Sequence, residues 1–361
     1  MSTKQRVYNF NAGPAVLPED VLLEVKEELP VYDDIGTSVL EISHRSPEYT
    51  AIASSAEERL RRLLGLGDEW HVLFLQGGAS LQFYMVPLNL LPRDGSADYL
   101  ITGSWSKKAL KEARFVGNPR VAASTESTQF DRIPAPGTYT IDSQAAYVHF
   151  TSNNTIYGTQ WPREPETGGI PLVCDASSDF LSRRIDIDRY GLIYAGAQKN
   201  VGPAGVTVVL IRQDMLERRH QPLPTLLDYG THAGRIYNTP PVFAVYIVEK
   251  VLKWLEHMGG LPAIEARNEA KAQKLYAALD ASEFYRPHAQ PDSRSRMNVT
   301  FRLPTEELEK RFVEEAKEQG MIGLKGHRSV GGIRASIYNA CPPEAVDALV
   351  AFMKDFEQRY G

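Results

Sequence analysis

The spacing of apolar residues gives the chain two textures. In the first, short apolar runs alternate with stretches whose apolar positions recur every three to four residues. Residues 8–17 read as an extended entry segment. Residues 18–29 predict a helix with Pro18 near its first turn, and Pro47–Leu64 a longer helix ended by Gly65. Trp70–Leu75 predicts a strand running into Gln-Gly-Gly-Ala-Ser, followed by a helix over 81–91 that Pro87 weakens. Further strands are predicted at 98–102, 147–151, Leu172–Asp175 and 206–211, with a helix at 106–115. Such alternation implies an α/β fold, a mainly parallel sheet covered on both faces. Residues 240–257 and 262–279 predict two long helices around Gly259 and Gly260. The second texture starts near residue 260: a strand at 297–302, an amphipathic helix at 305–319, a strand at 333–337 and a closing helix at 343–359. This divides the chain into a large domain, 16–260, and a smaller α+β domain made of 1–15 and 261–361.

One polar residue interrupts the apolar rhythm at an informative place. In residues 191–205, Gly-Leu-Ile-Tyr-Ala-Gly-Ala-Gln-Lys-Asn-Val-Gly-Pro-Ala-Gly, an apolar strand delivers Lys199 into a loop of small residues, and a second apolar strand follows at once. Burial disfavours the charge of a lysine and lowers its pKa, the condition a Schiff-base lysine needs. Gly196, Ala197, Gly202, Ala204 and Gly205 are expected to leave room for a flat group beside the amine, which points to covalently held pyridoxal phosphate. That cofactor also needs a carboxylate for its pyridine nitrogen, a stacking group and a phosphate cup. Asp175 ends the strand Leu-Val-Cys-Asp, and Trp105 in Thr-Gly-Ser-Trp-Ser offers an indole face. Gly77, Gly78, Ala79 and Ser80 lie between a strand and a helix, where backbone N–H groups make an anion site. Ala79, Thr155, Asp175 and Lys199 all fall at or just past predicted strand ends, where ligands of such sheets bind.

Composition narrows the class. The 361 residues, 43% hydrophobic, suffice for a large core. A net charge of −5 carries no basic excess, so neither nucleic acid nor a membrane surface is an expected partner, and the balance is ordinary for a soluble cytoplasmic protein. Cys174 and Cys341 are too few for a disulfide framework or a four-cysteine metal site, and no metal is expected. No run of about 18 or more apolar residues could span a membrane, and residues 1–6 lead into no apolar signal segment.

Several motifs combine into one pattern: Asn-Phe-Asn-Ala-Gly-Pro-Ala (9–15), Ser-His-Arg (43–45), Gly-Ala-Gln-Lys-Asn-Val-Gly-Pro-Ala-Gly (196–205), Asn-Thr-Pro-Pro (238–241), Gly-His-Arg (326–328) and Gly-Gly-Ile-Arg-Ala-Ser-Ile-Tyr-Asn-Ala (331–340). From end to end, and in this order, the chain resembles the phosphoserine aminotransferase family, fold-type I pyridoxal phosphate transaminases of class V. The resemblance implies a large, mainly parallel seven-stranded sheet domain flanked by helices, with a smaller α+β domain. It also implies that Lys199 carries the cofactor, Asp175 pairs with the pyridine nitrogen, Trp105 stacks on the ring and Thr155 bonds near its phenolic oxygen. Ala79, Ser80 and Gln198 would hold the phosphate, joined by Asn238 and Thr239 from the neighbouring subunit of a homodimer. Some members carry a bulkier or charged residue where Ser80 stands, so here the cup is expected to rest on backbone groups.

Charge supports the substrate class. His44 with Arg45 and His327 with Arg328 suit a dianionic phosphate, and Arg334 suits an α-carboxylate through its forked donors. The family assigns these roles, with Arg45 also serving glutamate. The expected reaction moves the amino group of L-glutamate to 3-phosphohydroxypyruvate, giving O-phospho-L-serine and 2-oxoglutarate in serine biosynthesis. Some members also serve pyridoxine synthesis through 4-phosphohydroxy-L-threonine.

Each motif alone has a plainer reading. Ser-His-Arg is a common helix start, Gly-Gly-Ala-Ser a common turn, an aspartate at a strand end a helix cap, and Trp105 a core residue. Rival classes also have specific marks. A serine or alanine–glyoxylate transaminase would not need two His-Arg pairs. A cysteine desulfurase needs its nucleophile before the carboxylate-binding arginine, whereas Cys341 follows Arg334. A non-catalytic binding protein on the same fold would not need both Lys199 and Asp175.

Overall fold

The computed structural model describes residues 6–361, so the first five residues of the predicted small domain lie outside it. The first half of the chain runs β1 (Tyr8–Asn9), α1 (Glu19–Glu28), α2 (Pro47–Leu64), β2 (Trp70–Leu75), α3 (Gly78–Leu90), β3 (Ser96–Ile101), α4 (Ser104–Ala113), β4 (Asn118–Ser124), β5 (Val148–Thr151), β6 (Asn153–Asn154), β7 (Thr159–Gln160) and β8 (Leu172–Asp175). It continues through β9 (Tyr190–Gly196), β10 (Thr207–Arg212), α5 (Gln213–Leu216), α6 (Tyr229–His232), α7 (Val242–His257) and α8 (Gly260–Asp280). The last part holds β11 (Arg286–Pro287), β12 (Asn298–Arg302), α9 (Glu306–Glu318), β13 (Met321–Ile322), β14 (Ile333–Ser336) and α10 (Pro343–Tyr360).

Seven strands form the main sheet in the order β2-β10-β9-β8-β5-β3-β4. Strand β10 is antiparallel to both neighbours; every other pair is parallel. A short turn joins β9 to β10, and a connection that short permits only an antiparallel pair. Side chains alternate across the sheet. Cys174, Ile193, Ala195, Val208 and Leu210 pack with α2 and α7 on one face, while Val173, Leu192, Tyr194 and Val209 pack with α3 and α4 on the other. Asp175 keeps the parity of Val173, so it lies on the α3 and α4 face.

Local signals set the helix bounds. Ser46 caps α2 by accepting from the Tyr49 N–H, Pro47 takes its first position, and Gly65 closes it at φ 68°. Arg59 of α2 pairs with Glu249 and Glu256 of α7. Two helices begin earlier than the apolar spacing predicts. Helix α3 starts at Gly78 and runs through Pro87, so Ala79 and Ser80 stand in its first turn. Helix α4 starts at Ser104, which puts Trp105 in its first turn. Strand β4 has no counterpart among the predicted elements: it is a largely exposed edge strand containing Pro119, without the apolar run that marks the buried strands.

A separate apolar cluster around Phe301, Phe312, Ile333, Phe352 and Phe356 joins the three-stranded sheet β11-β12-β14 to α8, α9 and α10. Phe10 belongs to the same cluster. Strand β1 pairs in parallel with β13, and the Ser336 N–H donates to the Phe10 carbonyl at 3.2 Å. The chain then crosses to the main sheet, where the Ala15 N–H donates to the Gln198 carbonyl at 2.8 Å. Among the described residues, no helix is long and apolar enough to cross a membrane.

Candidate active site

The carboxyl ends of β2, β3, β5, β8 and β9 lie along one edge of the main sheet; Asp175 is the last residue of β8, and the segments that follow the other four carry Ala79, Trp105, Thr155 and Lys199. Lys199 stands in the turn after β9, and its Nζ donates to Thr155 Oγ1 at 2.9 Å. Burial lowers the amine to about 8; the nearby Asp175 carboxylate opposes that shift and Arg334 adds to it. Burial in turn pushes the Asp175 carboxyl up, against hydrogen bonds from Ser177 and the charge of Lys199. Both groups are thereby moved toward their neutral forms. The Ser177 N–H and hydroxyl both donate to Asp175 Oδ1, at 3.0 and 2.6 Å, which leaves Oδ2 for another donor.

Trp105 lies beside the amine, with Lys199 Nζ 5.6 Å from its ring centroid. Its Nε1 is buried and has no hydrogen-bond partner among the described residues. Arg334 reaches the same place from β14, where its Nη1 donates to the Thr155 carbonyl at 3.3 Å. His327 follows on the loop after β13. Burial lowers its pKa, helped by the charges of Arg334, Arg328 and Lys108. The fold therefore gathers Lys199, Asp175, Thr155, Trp105, Arg334 and His327 in one place, with Arg328 exposed at its rim.

The remaining predicted residues sit differently. Ala79 and Ser80 lie in the first turn of α3, which has Gly77 as N-cap and, among the described residues, no side-chain cap. Gln198 adjoins the amine, with its carbonyl held by Ala15. Asn238 and Thr239 stand beside the strand-to-helix turn: Gln76 Nε2 donates to the Thr239 carbonyl at 2.9 Å. His44 and Arg45 precede α2, with the Arg45 N–H donating to Ser43 Oγ at 3.2 Å. Among the described residues no hydrogen bond or ion pair joins His44 or the Arg45 side chain to Lys199, Arg334, His327 or Arg328.

The room expected from the small residues needs correcting. A Cβ on Gly202 would come within 2.7 Å of Val248 on α7, and one on Gly196 within 2.6 Å of the Gln198 side chain. These glycines pack the turn against its own surroundings. The close approach beside the amine is made by Gly13, where a Cβ would lie 3.3 Å from Lys199 Cγ. Lys108 carries no mark in its local sequence, and Gly13, although it lies in the 9–15 motif, carries none that points to the lysine stem. Only the spacing of Ser177 two residues past Asp175, the Asx-type turn position, could have signalled its role.

The chain belongs to the class V aminotransferases: the family model "Aminotransferase class-V" matches residues 7–349. Within that class it is similar to the phosphoserine aminotransferase of Lysinibacillus sphaericus, at 55% identity over 99% of both chains. A solved phosphoserine aminotransferase from Bacillus circulans subsp. alkalophilus superposes with a TM-score of 0.96 at 50% identity, covering 99% of each chain. The PLP-bound phosphoserine aminotransferase from Trichomonas vaginalis matches with a TM-score of 0.92 at 41% identity, over 97% of this chain and all of that one.

Proposed function

We propose that the chain catalyses the reversible transfer of the amino group of L-glutamate to 3-phosphohydroxypyruvate, giving O-phospho-L-serine and 2-oxoglutarate, with pyridoxal phosphate as cofactor. The observation that carries this reading is the Lys199 amine, lowered to about 8 and held by Thr155 beside a buried carboxylate. The full-length similarity to phosphoserine aminotransferases supplies the substrate.

The residues suit the cofactor on grounds visible in the chain itself. Asp175 has an oxygen without a Ser177 bond and a carboxylate that burial makes unstable; a protonated ring nitrogen would satisfy both. The indole of Trp105 borders the amine. The uncapped first turn of α3 offers the N–H groups of Ala79 and Ser80 to a phosphate, with Gln198 nearby. When bound, pyridoxal phosphate supplies a conjugated electron sink for the substrate α-carbon.

The protein's own groups do the rest. Lys199 would hold the cofactor, and its free amine would take the proton from the substrate α-carbon and later return it. A pKa near 8 keeps a useful fraction of that amine neutral around neutral pH. Thr155 orients the amine, and Ser177 fixes the Asp175 carboxylate that would keep the ring nitrogen protonated. Arg334, tied to the Thr155 carbonyl, receives the α-carboxylate next to the reacting carbon. His327 and Arg328 receive the phosphate.

We place Asn238 and Thr239 at the phosphate of the neighbouring site of a homodimer, and His44 and Arg45 among the substrate-binding residues. The exposed Ile236 and Tyr237, next in sequence to Asn238, support that arrangement. The division into 16–260 and 1–15 with 261–361 is supported by the separate apolar cluster around Phe312.

The test is a half-reaction. Holoprotein mixed with O-phospho-L-serine should lose the visible absorbance of its cofactor and release 3-phosphohydroxypyruvate. Equal or faster conversion with serine or alanine would overturn the substrate reading.

A further inference from the structure

We propose that Lys108, on α4, is a further specificity-determining residue that binds the phosphate ester of the phosphorylated substrate from the main-sheet side of the site, facing His327 and Arg328. The inference rests on the transaminase reading above and deepens it.

Three observations converge on this lysine. Its Nζ lies 4.3 Å from the centroid of the Trp105 ring, the same ring that Lys199 Nζ approaches at 5.6 Å, so the ammonium stands at the border of the reacting centre. Its neighbour Lys107 is engaged in an ion pair with Glu126, whereas among the described residues Lys108 pairs with no carboxylate. The charges felt by His327 from its surroundings are Arg334 on β14, Arg328 on its own loop and Lys108 on α4, all cationic. Like charges gathered at one mouth repel each other, and the cost is removed when an anion enters.

The position along the substrate selects which anion. Arg334 is bonded to the Thr155 carbonyl next to the amine and takes the carboxylate adjoining the reacting carbon. Lys108, held out along the indole, is left for the distal group. A phosphate ester carries about −1.5 to −2 at neutral pH, against −1 for the side-chain carboxylate of glutamate, so it gains more from an added cation. The indole face gives the long, flexible side chain a resting direction without consuming its donors.

The experiment is steady-state kinetics of Lys108→Gln holoprotein with each substrate, alongside Lys108→Arg and the control Lys107→Gln. We expect KM for O-phospho-L-serine and 3-phosphohydroxypyruvate to rise about tenfold and that for glutamate by no more than about twofold. Inhibition by inorganic phosphate should weaken in parallel, Lys108→Arg should restore most of the loss, and Lys107→Gln should behave as the parent. Equal changes for glutamate and the phosphorylated substrates, or none at all, would overturn the assignment. If the parent itself fails to convert O-phospho-L-serine, the transaminase reading falls and this one with it; if the parent converts it and Lys108→Gln matches the parent, this one falls alone.

Discussion

Lys199 and Lys271 are both enclosed lysines, and burial lowers each to about 8. Around the amine they differ. Lys271, on α8, donates to three carbonyls in the segment after β14, those of Ile337 at 2.9 Å, Tyr338 at 2.6 Å and Cys341 at 3.1 Å. All three of its donors are used. Lys199 donates once, to a hydroxyl, and stands beside a carboxylate whose own second oxygen is open. A lowered pKa reports enclosure in both places; unspent donors and acceptors separate a reactive amine from one that ties a loop to a helix.

Substitutions can break or sharpen that contrast. Lys199→Ala should remove transamination to below detection, general acid–base work alone accounting for about 10²–10⁴-fold, while the denaturation midpoint stays close to that of the parent. A variant with residual turnover within tenfold of the parent would remove Lys199 from the reaction. Lys271→Met should do the opposite. Three buried carbonyls lose their donor, each at about 1–3 kcal/mol, so chemical denaturation should show a loss of about 3 kcal/mol or more with kcat per folded molecule preserved. An inactive but equally stable Lys271→Met protein would erase the distinction.

Two smaller effects refine it. Arg328→Ala should weaken binding of the phosphorylated substrates by about 1.5–3 kcal/mol, read from KM or half-reaction affinity, and glutamate far less. The pH dependence concerns Lys199 in the cofactor-free protein. The neutral amine is the reactive form, and with a pKa near 8 its population grows as pH rises toward that value. Cofactor uptake should therefore accelerate about tenfold per pH unit below pH 8 and level off above it. A rate that keeps climbing to pH 10 would mean that the amine is not depressed.

The chain wrote its reactive amine more legibly than its structural one. Lys199 is marked by apolar strands on both sides and by small residues around it, and Asp175 and Trp105 lie at predicted strand and helix ends. Lys271 sits in Ala-Lys-Ala-Gln-Lys on an amphipathic helix, where it looks like any solvated lysine, because its partners are backbone carbonyls brought near only by tertiary folding. The same reason hides Lys108 and the partner of Gly13. Gly202 was legible as a residue that must be small, but local sequence names no partner, and the partner is Val248 on α7. Strand β4 lacks the apolar run because its faces are not covered.

The crossing made by residues 8–15 has a mechanical meaning. One end is pinned to β13 and β14, which flank the loop bearing His327 and Arg328 and carry Arg334; the other end is pinned to the turn bearing Lys199. It is a tie rod made of covalent backbone, with Gly13 bearing on the lysine stem at its midpoint. Any shift of the anion-binding strands would reach the turn bearing Lys199 through main chain rather than through side chains alone. Grip on the substrate and aim of the base are set by the same short length of peptide.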